Sequence, residues 1–344
     1  MSNTNTTNGQ SPVTPERIMQ FSFAFAPPIL IDTAVRHKVF DAIEAGAKTV
    51  EEVSAKAETS ERGTRILLNA IVGLGLLTKV GDKYLLAPDT AEFLVSGKPS
   101  FIGRFFHHTT VNILPKWIQL AEVVKTGKPI MTVNEESDGT KFFVNFVEDL
   151  FALNYPPARA LAQELQIADA QESVFVLDLA AGSGVWGIAL AQASPKVSVT
   201  AVDWEGVLPV TKRTAEKFGL GNRFKFVAGD LLSVDFGENH NVVTLGQILH
   251  SEGAEKSRQL LKKIFDALAP GGTVAIAEWL VNEDRTAPLP GLIFAVNMLV
   301  NTEVGDTFSF EEIKSWLDEA GFENARLVNA PGVSPLILAT RTKA

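Results

Sequence analysis

The feature that most constrains the fold is a regular alternation of strand-like and helical segments, which begins at Ser173. Such an alternation is typical of a parallel sheet that is covered by helices on both faces. A helix over Phe310–Ala320 and two apolar runs on either side of Pro331-Gly332 follow, and the runs are expected to pair antiparallel at the sheet edge. The sequence therefore predicts a Rossmann-like α/β domain. In chain order its predicted strands read VFVLDL, KVSVTAVD, RFKFVAGD, NVVTLGQILH and GGTVAIAEWL.

The first three predicted strands each carry an aspartate as their last or next-to-last residue, at Asp178, Asp203 and Asp230. The carboxyl ends of parallel strands border the crevice in which open α/β sheets bind their ligands. We therefore expect these three carboxylates to converge on one binding site.

A glycine-rich loop follows the first strand and opens a helix. Gly182 and Gly184 have no side chain to block a ligand, and the helix start presents free amides. With Gly187 they match the G-x-G-x-x-G pattern, and Asp203 lies about 20 residues further on, where a dinucleotide enzyme holds a ribose. The loop alone leaves two ligand classes open, a dinucleotide and another nucleotide cofactor.

The other strand ends distinguish these classes, because a dinucleotide fold has no need of Gly229-Asp230 or of His250 just after the fourth strand. Together with the glycine loop, Asp203 and the segments GQILHSEG and APGGTVAIAE, they make residues 173–342 resemble class I S-adenosylmethionine-dependent methyltransferases. From about residue 16 onwards the chain resembles the two-domain small-molecule O-methyltransferases related to caffeic acid O-methyltransferase and to bacterial hydroxyneurosporene and polyketide enzymes.

The resemblance implies a role for each strand end. The loop Ala180–Gly184 would hold the methionine part of the cofactor, Asp203 would accept both ribose hydroxyls, and Asp230 would accept the adenine amino group. The cofactor-binding residues expected in this way are Asp178, Ala180, Gly182, Gly184, Asp203, Trp204, Gly229, Asp230, Leu231 and Gln247.

His250 matches the catalytic base of that family, and Glu278 matches an acid that orients the base. Methyl transfer from a sulfonium is an in-line displacement, so the protein has to supply alignment and a better nucleophile. A phenol has a pKa of about 10, and an imidazole with a pKa of about 6.5 can accept its proton as the oxygen attacks. No metal is expected, because no ligand spacing occurs around His250.

Two departures from the family pattern stand out. Ser251-Glu252 replaces the Asp-Trp pair that follows the catalytic histidine, and Trp204 is a candidate to supply the missing aromatic surface near adenine. The second acid that flanks the base in plant enzymes falls at Thr307, with Glu303 and Asp306 nearby, so the support of the base stays open.

The N-terminal part has helical periodicity over Ile29–Ile43 and Arg62–Leu77, with a short helix expected to start after Thr49. A strand pair around Gly81-Asp82 follows, which completes the element order of a winged helix. Basic and acidic residues nearly balance in the first 100 residues, and the whole chain carries −9, which disfavours binding to phosphate backbones. The resemblance implies a homodimerisation domain instead of a DNA-binding one.

The predicted domains are a disordered tail over 1–15, the winged-helix dimerisation domain over 16–100, connecting helices over 101–170 and the cofactor domain over 171–344. The connecting helices are rich in phenylalanine and are expected to help wall the substrate pocket. The residues expected to line that pocket are Phe143, Phe146, Asn154, Phe294, Asn297 and Met298.

The chain contains no cysteine, which excludes disulfides, thiolate metal sites and cysteine nucleophiles. Its longest uncharged runs are shorter than a bilayer span, and its polar N-terminus lacks the features of a signal peptide, so a cytoplasmic protein is expected. We expect a homodimeric S-adenosylmethionine-dependent O-methyltransferase acting on a hydroxyl of a small, largely apolar or aromatic molecule. The alternatives are C-, N- or S-methyl transfer, an NAD-dependent oxidoreductase and a ligand-sensing winged-helix regulator.

Overall fold

The computed structural model describes residues 13–144, 146–332 and 334–342. It divides into two compact units, residues 1–110 and 111–344. Most of the segment that the sequence predicts as a tail, residues 1–12, lies outside the described residues. The predicted connecting helices from residue 111 onwards belong to the second unit.

The first unit is a set of short helices with one strand pair. Its core contains Phe40, Leu68, Ile71, Leu77 and Tyr84, all of them fully or almost fully buried. Its elements are α1 (Glu16–Met19), α2 (Ala26–Arg36), α3 (Val39–Glu44), α4 (Val50–Ala57), α5 (Glu61–Gly73), β1 (Leu77–Val80), β2 (Lys83–Leu86), α6 (Pro88–Phe93) and α7 (Gly103–His108).

The predicted start of α4 is confirmed. Thr49 Oγ1 accepts a hydrogen bond from the Glu52 amide at 3.3 Å, and Glu52 Oε2 accepts one from the Thr49 amide at 3.1 Å, so the two residues form a capping box. The predicted strand pair is confirmed as well, with Val80 opposite Lys83. The helix predicted over Ile29–Ile43 is wrong in one respect, because Lys38 adopts a left-handed backbone (φ 53°) and separates α2 from α3.

The second unit contains the sheet. Its helices are α8 (Leu114–Trp117), α9 (Leu120–Thr126), α10 (Glu136–Val144), α11 (Val147–Glu164), α12 (Val185–Ala193), α13 (Leu208–Lys217), α14 (Leu249–Ala267), α15 (Leu289–Asn301) and α16 (Phe310–Ala320). Its strands are β3 (Val174–Leu179), β4 (Val197–Asp203), β5 (Phe224–Ala228), β6 (His240–Gly246), β7 (Leu268–Ala277), β8 (Leu280–Val281), β9 (Phe308–Ser309), β10 (Phe322–Val328) and β11 (Leu336–Arg341).

Seven strands form the main sheet in the order β10-β11-β7-β6-β3-β4-β5. The strands from β7 to β5 are parallel, and β11 and β10 add the antiparallel edge that the sequence predicts. One buried apolar cluster lies on the face covered by α12, and a second on the face covered by α14 and α16. This is the mostly parallel, doubly covered sheet expected of a class I methyltransferase.

The chain order of the strands reverses at β3, since β4 and β5 follow on one side and β6 and β7 on the other. Ligands of open α/β sheets bind at such a switch point, beyond the carboxyl ends of the strands. The fourth predicted strand is too long: β6 ends at Gly246, Gln247 takes a positive φ of 66°, and His250 already lies in α14. None of the described helices is both long and apolar enough to span a bilayer.

The capping box of α4 gives a test of the first unit. Thr49→Ala removes the hydroxyl that satisfies a free amide of the helix start, so we expect a loss of about 1 kcal/mol in the free energy of unfolding. Thr49→Ser keeps an acceptor oxygen and should retain most of the stability. Urea denaturation of the three proteins at one concentration, followed by circular dichroism, measures both effects, and equal losses in the two variants would show that the hydroxyl is not what stabilises α4.

Candidate active site

A cavity of about 1100 Å³, including its open mouth, lies at the carboxyl ends of β3, β4, β5 and β6. Its lining includes residues of the glycine loop, of the loop after β5 and of the segment after β6. The lining residues are Val133, Asn134, Phe143, Val147, Leu150, Asn154, Ala180, Ala181, Gly182, Ser183, Val185, Trp186, Asp203, Trp204, Val207, Gly229, Asp230, Leu231, Leu232, Gly246, Gln247, Ile248, Ser251, Glu252, Lys256 and Leu260.

Asp203, the last residue of β4, lines this cavity and fixes the loop beside it. Its Oδ2 accepts a hydrogen bond from the Gly182 amide at 2.8 Å, and its Oδ1 accepts one from the Trp204 amide at 2.7 Å. Burial raises the pKa of Asp203 to about 6, although both amides favour the ionised form. Since a carboxylate oxygen can accept more than one hydrogen bond, the group can also bind the two hydroxyls of a ribose.

The conformation of the glycine loop is fixed at Gly182, which lines the cavity. Gly182 has a φ of 55°, which favours glycine, and its carbonyl accepts a hydrogen bond from Thr211 Oγ1 at 2.7 Å. A side chain at Gly246, after β6, would overlap the indole nitrogen of Trp186. The Thr211 hydroxyl therefore holds the loop at Gly182, and Gly246 leaves room for the Trp186 ring.

Asp178 and Gly184 do not line the cavity, and their expected contact with the cofactor stays a prediction. The Asp178 side chain is fully buried, with Oδ1 accepting from Thr244 Oγ1 at 2.7 Å and Oδ2 from the Gly187 amide at 2.9 Å. Gly184 is the residue before α12, and a Cβ there would come within 2.9 Å of Thr211. Both residues therefore contribute to the conformation of the glycine loop.

Asp230 and Leu231 line the cavity in the loop after β5. Asp230 Oδ1 accepts hydrogen bonds from the amides of Leu232 at 2.9 Å and Ser233 at 3.3 Å, which fixes the turn. Lys263 of α14 donates to the Leu231 carbonyl at 2.9 Å and also to the Val234 carbonyl, so this loop is tied to α14.

His250 lies immediately beside the cavity, between the lining residues Ile248 and Ser251. Its Nδ1 is 2.6 Å from Glu278 Oε1, and its backbone amide donates to Glu278 Oε2 at 3.2 Å. Glu278 is fully buried and also accepts from the Trp279 amide at 2.8 Å. Because the carboxylate holds Nδ1, the second ring nitrogen, Nε2, is left without a hydrogen-bond partner among the described residues.

An aromatic pair continues from this histidine. The Phe294 ring stands edge-on to His250, with 4.8 Å between ring centroids, and stacks on Trp279 at 4.6 Å. One turn further along α15, Asn297 Oδ1 accepts a hydrogen bond from Trp117 Nε1 at 3.0 Å. His250 therefore has an aromatic ring, Phe294, directly beside it, with Trp279 stacked on that ring.

The comparisons with known proteins agree with this geometry. Residues 117–323 match the model of the O-methyltransferase domain, and residues 19–96 match that of the O-methyltransferase dimerisation domain. The chain belongs to the O-methyltransferase family. It is an S-adenosylmethionine-dependent methyltransferase. The alternatives of an NAD-dependent oxidoreductase and a winged-helix regulator are therefore excluded.

Three relatives illustrate the likeness of this O-methyltransferase. The 3-hydroxy-5-methyl-1-naphthoate 3-O-methyltransferase of Streptomyces sahachiroi is 29% identical over 89% of this chain and 90% of its own. A structure from Nostoc punctiforme, assigned as an O-methyltransferase, is 31% identical with a TM-score of 0.87, over 96% of this chain and 100% of that one. Human N-acetylserotonin methyltransferase in complex with S-adenosylmethionine has the same fold, at 22% identity and a TM-score of 0.80 over 97% and 100% of the two chains.

The remaining expected site residues of the O-methyltransferase separate into two groups. Phe143 and Asn154 line the cavity, as do the other expected cofactor residues Ala180, Gly182, Asp203, Trp204, Gly229, Asp230, Leu231 and Gln247. Phe146, Phe294, Asn297 and Met298 do not line it. Phe146 and Met298 are only 9% and 4% exposed and belong to the packed interior, whereas Phe294 contacts His250 instead.

The three residues considered as a second support for the base do not contact the imidazole in the described part of the chain. Thr307 Oγ1 donates to the Gly291 carbonyl at 3.3 Å, and Asp306 pairs with Arg285 at 3.9 Å and accepts from the Thr307 amide. Glu303 is exposed. Glu278 is therefore the carboxylate that the described structure brings to His250.

Sequence reasoning missed several residues of the site. Trp186 lines the cavity, and Trp279 stacks behind Phe294, although both lie within the quoted motifs. Glu252 was noted only as a departure from the family pattern, yet it lines the cavity with Lys256. Within the described residues no three His, Asp or Glu side chains form a group that could hold a metal ion.

The buried carboxyl group of Asp178 gives a pH-dependent prediction. Burial raises its pKa from 3.8 to about 7, so the folded protein retains a proton that the unfolded chain releases near pH 4. The contribution of this group to stability is therefore largest in acid and falls as the pH rises to about 7. Asp178→Asn is nearly isosteric and uncharged, so its unfolding free energy should improve relative to the wild type between pH 5 and pH 8.

Urea denaturation followed by tryptophan fluorescence measures this difference, because Trp117, Trp186, Trp204, Trp279 and Trp316 all lie in the second unit. Asp318→Asn, at an exposed position of α16, is the matched control and should show no such change. A pH-independent difference between Asp178→Asn and the wild type would contradict the raised pKa.

Proposed function

We propose that this O-methyltransferase methylates a hydroxyl group of a small, largely apolar or aromatic molecule, with His250 as the general base. The observation that supports the proposal is the 2.6 Å contact between His250 Nδ1 and a fully buried Glu278 beside the cavity. A buried carboxylate on one imidazole nitrogen fixes the tautomer and stabilises the imidazolium that forms when the other nitrogen takes a proton.

His250 is suited to this role by its surroundings. Nε2 has no hydrogen-bond partner among the described residues, so it is available to a hydroxyl group. The edge-on Phe294 ring restricts the imidazole, and Glu278 receives three hydrogen bonds that fix its own position. Deprotonation of the hydroxyl as it attacks makes it the stronger nucleophile that methyl transfer requires.

The cofactor is proposed to lie along the strand ends. Asp203 would hold the ribose hydroxyls, the backbone of Ala180–Gly182 the methionine part, and Asp230 the adenine amino group, with Leu231 and Trp204 as apolar surfaces. These residues fit the cofactor, because the small residues of the loop and the carboxylates of Asp203 and Asp230 all line the one cavity. When bound, S-adenosylmethionine supplies a methyl group that is already activated by the positive sulfur.

The acceptor is proposed to be aromatic or otherwise apolar. Phe143 lines the cavity and contacts Trp204, and Phe294 and Trp279 form the apolar surface next to His250. Flat aromatic side chains bury flat substrates well, and Asn154 adds a polar group that can fix their orientation. The Streptomyces relative, which is named for the 3-O-methylation of a hydroxynaphthoate, has an acceptor of this kind.

We further propose that the enzyme works as a homodimer in the cytoplasm. The match to a dimerisation domain supports the dimer, and the absence of cysteine suits a reducing compartment.

Removal of the base gives the test. We expect His250→Ala to lower kcat at least 100-fold, because general base catalysis contributes about 10² to 10⁴ in rate. Binding of S-adenosylhomocysteine should stay unchanged, since His250 does not line the cofactor cavity. His37→Ala, at an exposed position of the first unit, controls for the loss of a histidine. Turnover of His250→Ala at the wild-type rate would show that the enzyme works by positioning alone.

A further inference from the structure

Part of α14 faces the loop that follows β5. Glu252, Lys256 and Leu260 line the cavity together with Asp230 and Leu231. The hydrogen bonds from Lys263 to the Leu231 and Val234 carbonyls hold the loop against the same helix. Gly253 has a non-helical backbone (φ 73°, ψ 172°) and kinks α14 between Glu252 and Lys256. The hydrogen bonds of Lys263 therefore hold the loop against the part of α14 that follows the kink, and Glu252 lies in the turn before it.

The Glu252 carboxylate is mostly buried and poorly satisfied. Its side chain is 19% exposed, and its one ion pair in the described structure is with Lys256, at 3.8 Å between Nζ and Oε2. That distance is longer than a hydrogen bond. Burial raises the pKa of Glu252, Lys256 lowers it, the charge of Asp230 raises it further, and the nearby His250 lowers it. A buried carboxylate without a close donor is costly, so a ligand that donates a hydrogen bond to it gains affinity.

Asp230 also has one oxygen without a hydrogen bond from the described residues, although Asp230 itself is exposed. Its Oδ1 is occupied by the amides of Leu232 and Ser233, whereas Oδ2 accepts no hydrogen bond from the described residues. Two carboxylates thus border this end of the cavity, each with a free acceptor, and Asp230 is close enough to raise the pKa of Glu252. Asp203, which anchors the glycine loop, is a separate group at the end of β4. A ligand group with two N–H donors matches the pair.

We propose that Glu252 determines the base specificity of the cofactor site, and that it shares the exocyclic amino group of adenine with Asp230, each carboxylate accepting one N–H. The inference rests on the proposed function, in which Asp230 contacts the adenine. Both N–H bonds of the amino group are then recognised, and a purine with a carbonyl oxygen at that position is repelled by both carboxylates.

The test compares S-adenosylhomocysteine with S-inosylhomocysteine, in which a carbonyl oxygen replaces the amino group. By calorimetry, the wild type should bind the adenine compound at least tenfold more tightly. Glu252→Gln keeps the size of the side chain and can donate its amide N–H to a carbonyl. We expect it to bind the adenine compound about tenfold more weakly, and the preference between the two compounds to shrink by a similar factor.

Glu255→Gln is the matched control. It is the same substitution in the same helix, at an exposed position that does not line the cavity. It should bind both compounds as the wild type does. Wild-type affinities in Glu252→Gln would overturn the inference. So would an equal weakening of both compounds, since that result would mean that Glu252 only supports the cavity. Failure of the wild type to bind S-adenosylhomocysteine at all would instead contradict the proposed function.

Discussion

The geometry of the site depends on carboxylates at the strand ends that accept hydrogen bonds from the backbone. Asp178 at the end of β3 holds the Gly187 amide, Asp203 at the end of β4 holds the Gly182 amide, and Glu278 just after β7 holds the His250 amide. An ionised acceptor makes such a bond stronger than a neutral pair would, and for Asp178 this applies above a pH of about 7. The same buried acids therefore set the loop, the cavity wall and the base in place before any ligand arrives.

This arrangement has an energetic cost, which is visible in the pKa values of two of the acids. Burial raises the pKa of Asp178 to about 7 and that of Asp203 to about 6, so both are less readily ionised than exposed aspartates. The two buried acids are useful nevertheless, because each holds a backbone amide in one position. Precise placement matters for in-line methyl transfer, where alignment is the main contribution of the protein.

The parts of the fold that local sequence encodes were predictable. The capping residues of α4, the strand pair at Gly81-Asp82 and the antiparallel sheet edge all follow from short-range patterns. The inward direction of Asp178 was not, because a strand that is buried on both faces shows no alternation that would reveal which way its last side chains point. Lys38 and Gln247 adopt a positive φ although neither is a glycine. Their residue types therefore did not predict the break between α2 and α3 or the early end of β6.

The site was predictable to a similar degree. His250 and Glu278 are far apart in sequence, and the resemblance to a family, not their spacing, paired them. The expected pocket residues Phe146 and Met298 prove to be interior, since an apolar residue of a helix can face either a pocket or the core, and only the packing decides. Glu252 was visible as an unusual residue, but its closeness to Asp230 depends on how α14 packs on the loop after β5.

The most direct test of the account is to identify the acceptor atom. The enzyme is incubated with S-adenosylmethionine carrying a ¹³C-labelled methyl group and with matched phenols, enols, anilines and thiols, and each product is analysed by nuclear magnetic resonance. The account predicts that the label appears on oxygen and that aromatic hydroxyl compounds react fastest. Labelling on nitrogen, carbon or sulfur, with no transfer to any hydroxyl compound, would contradict it.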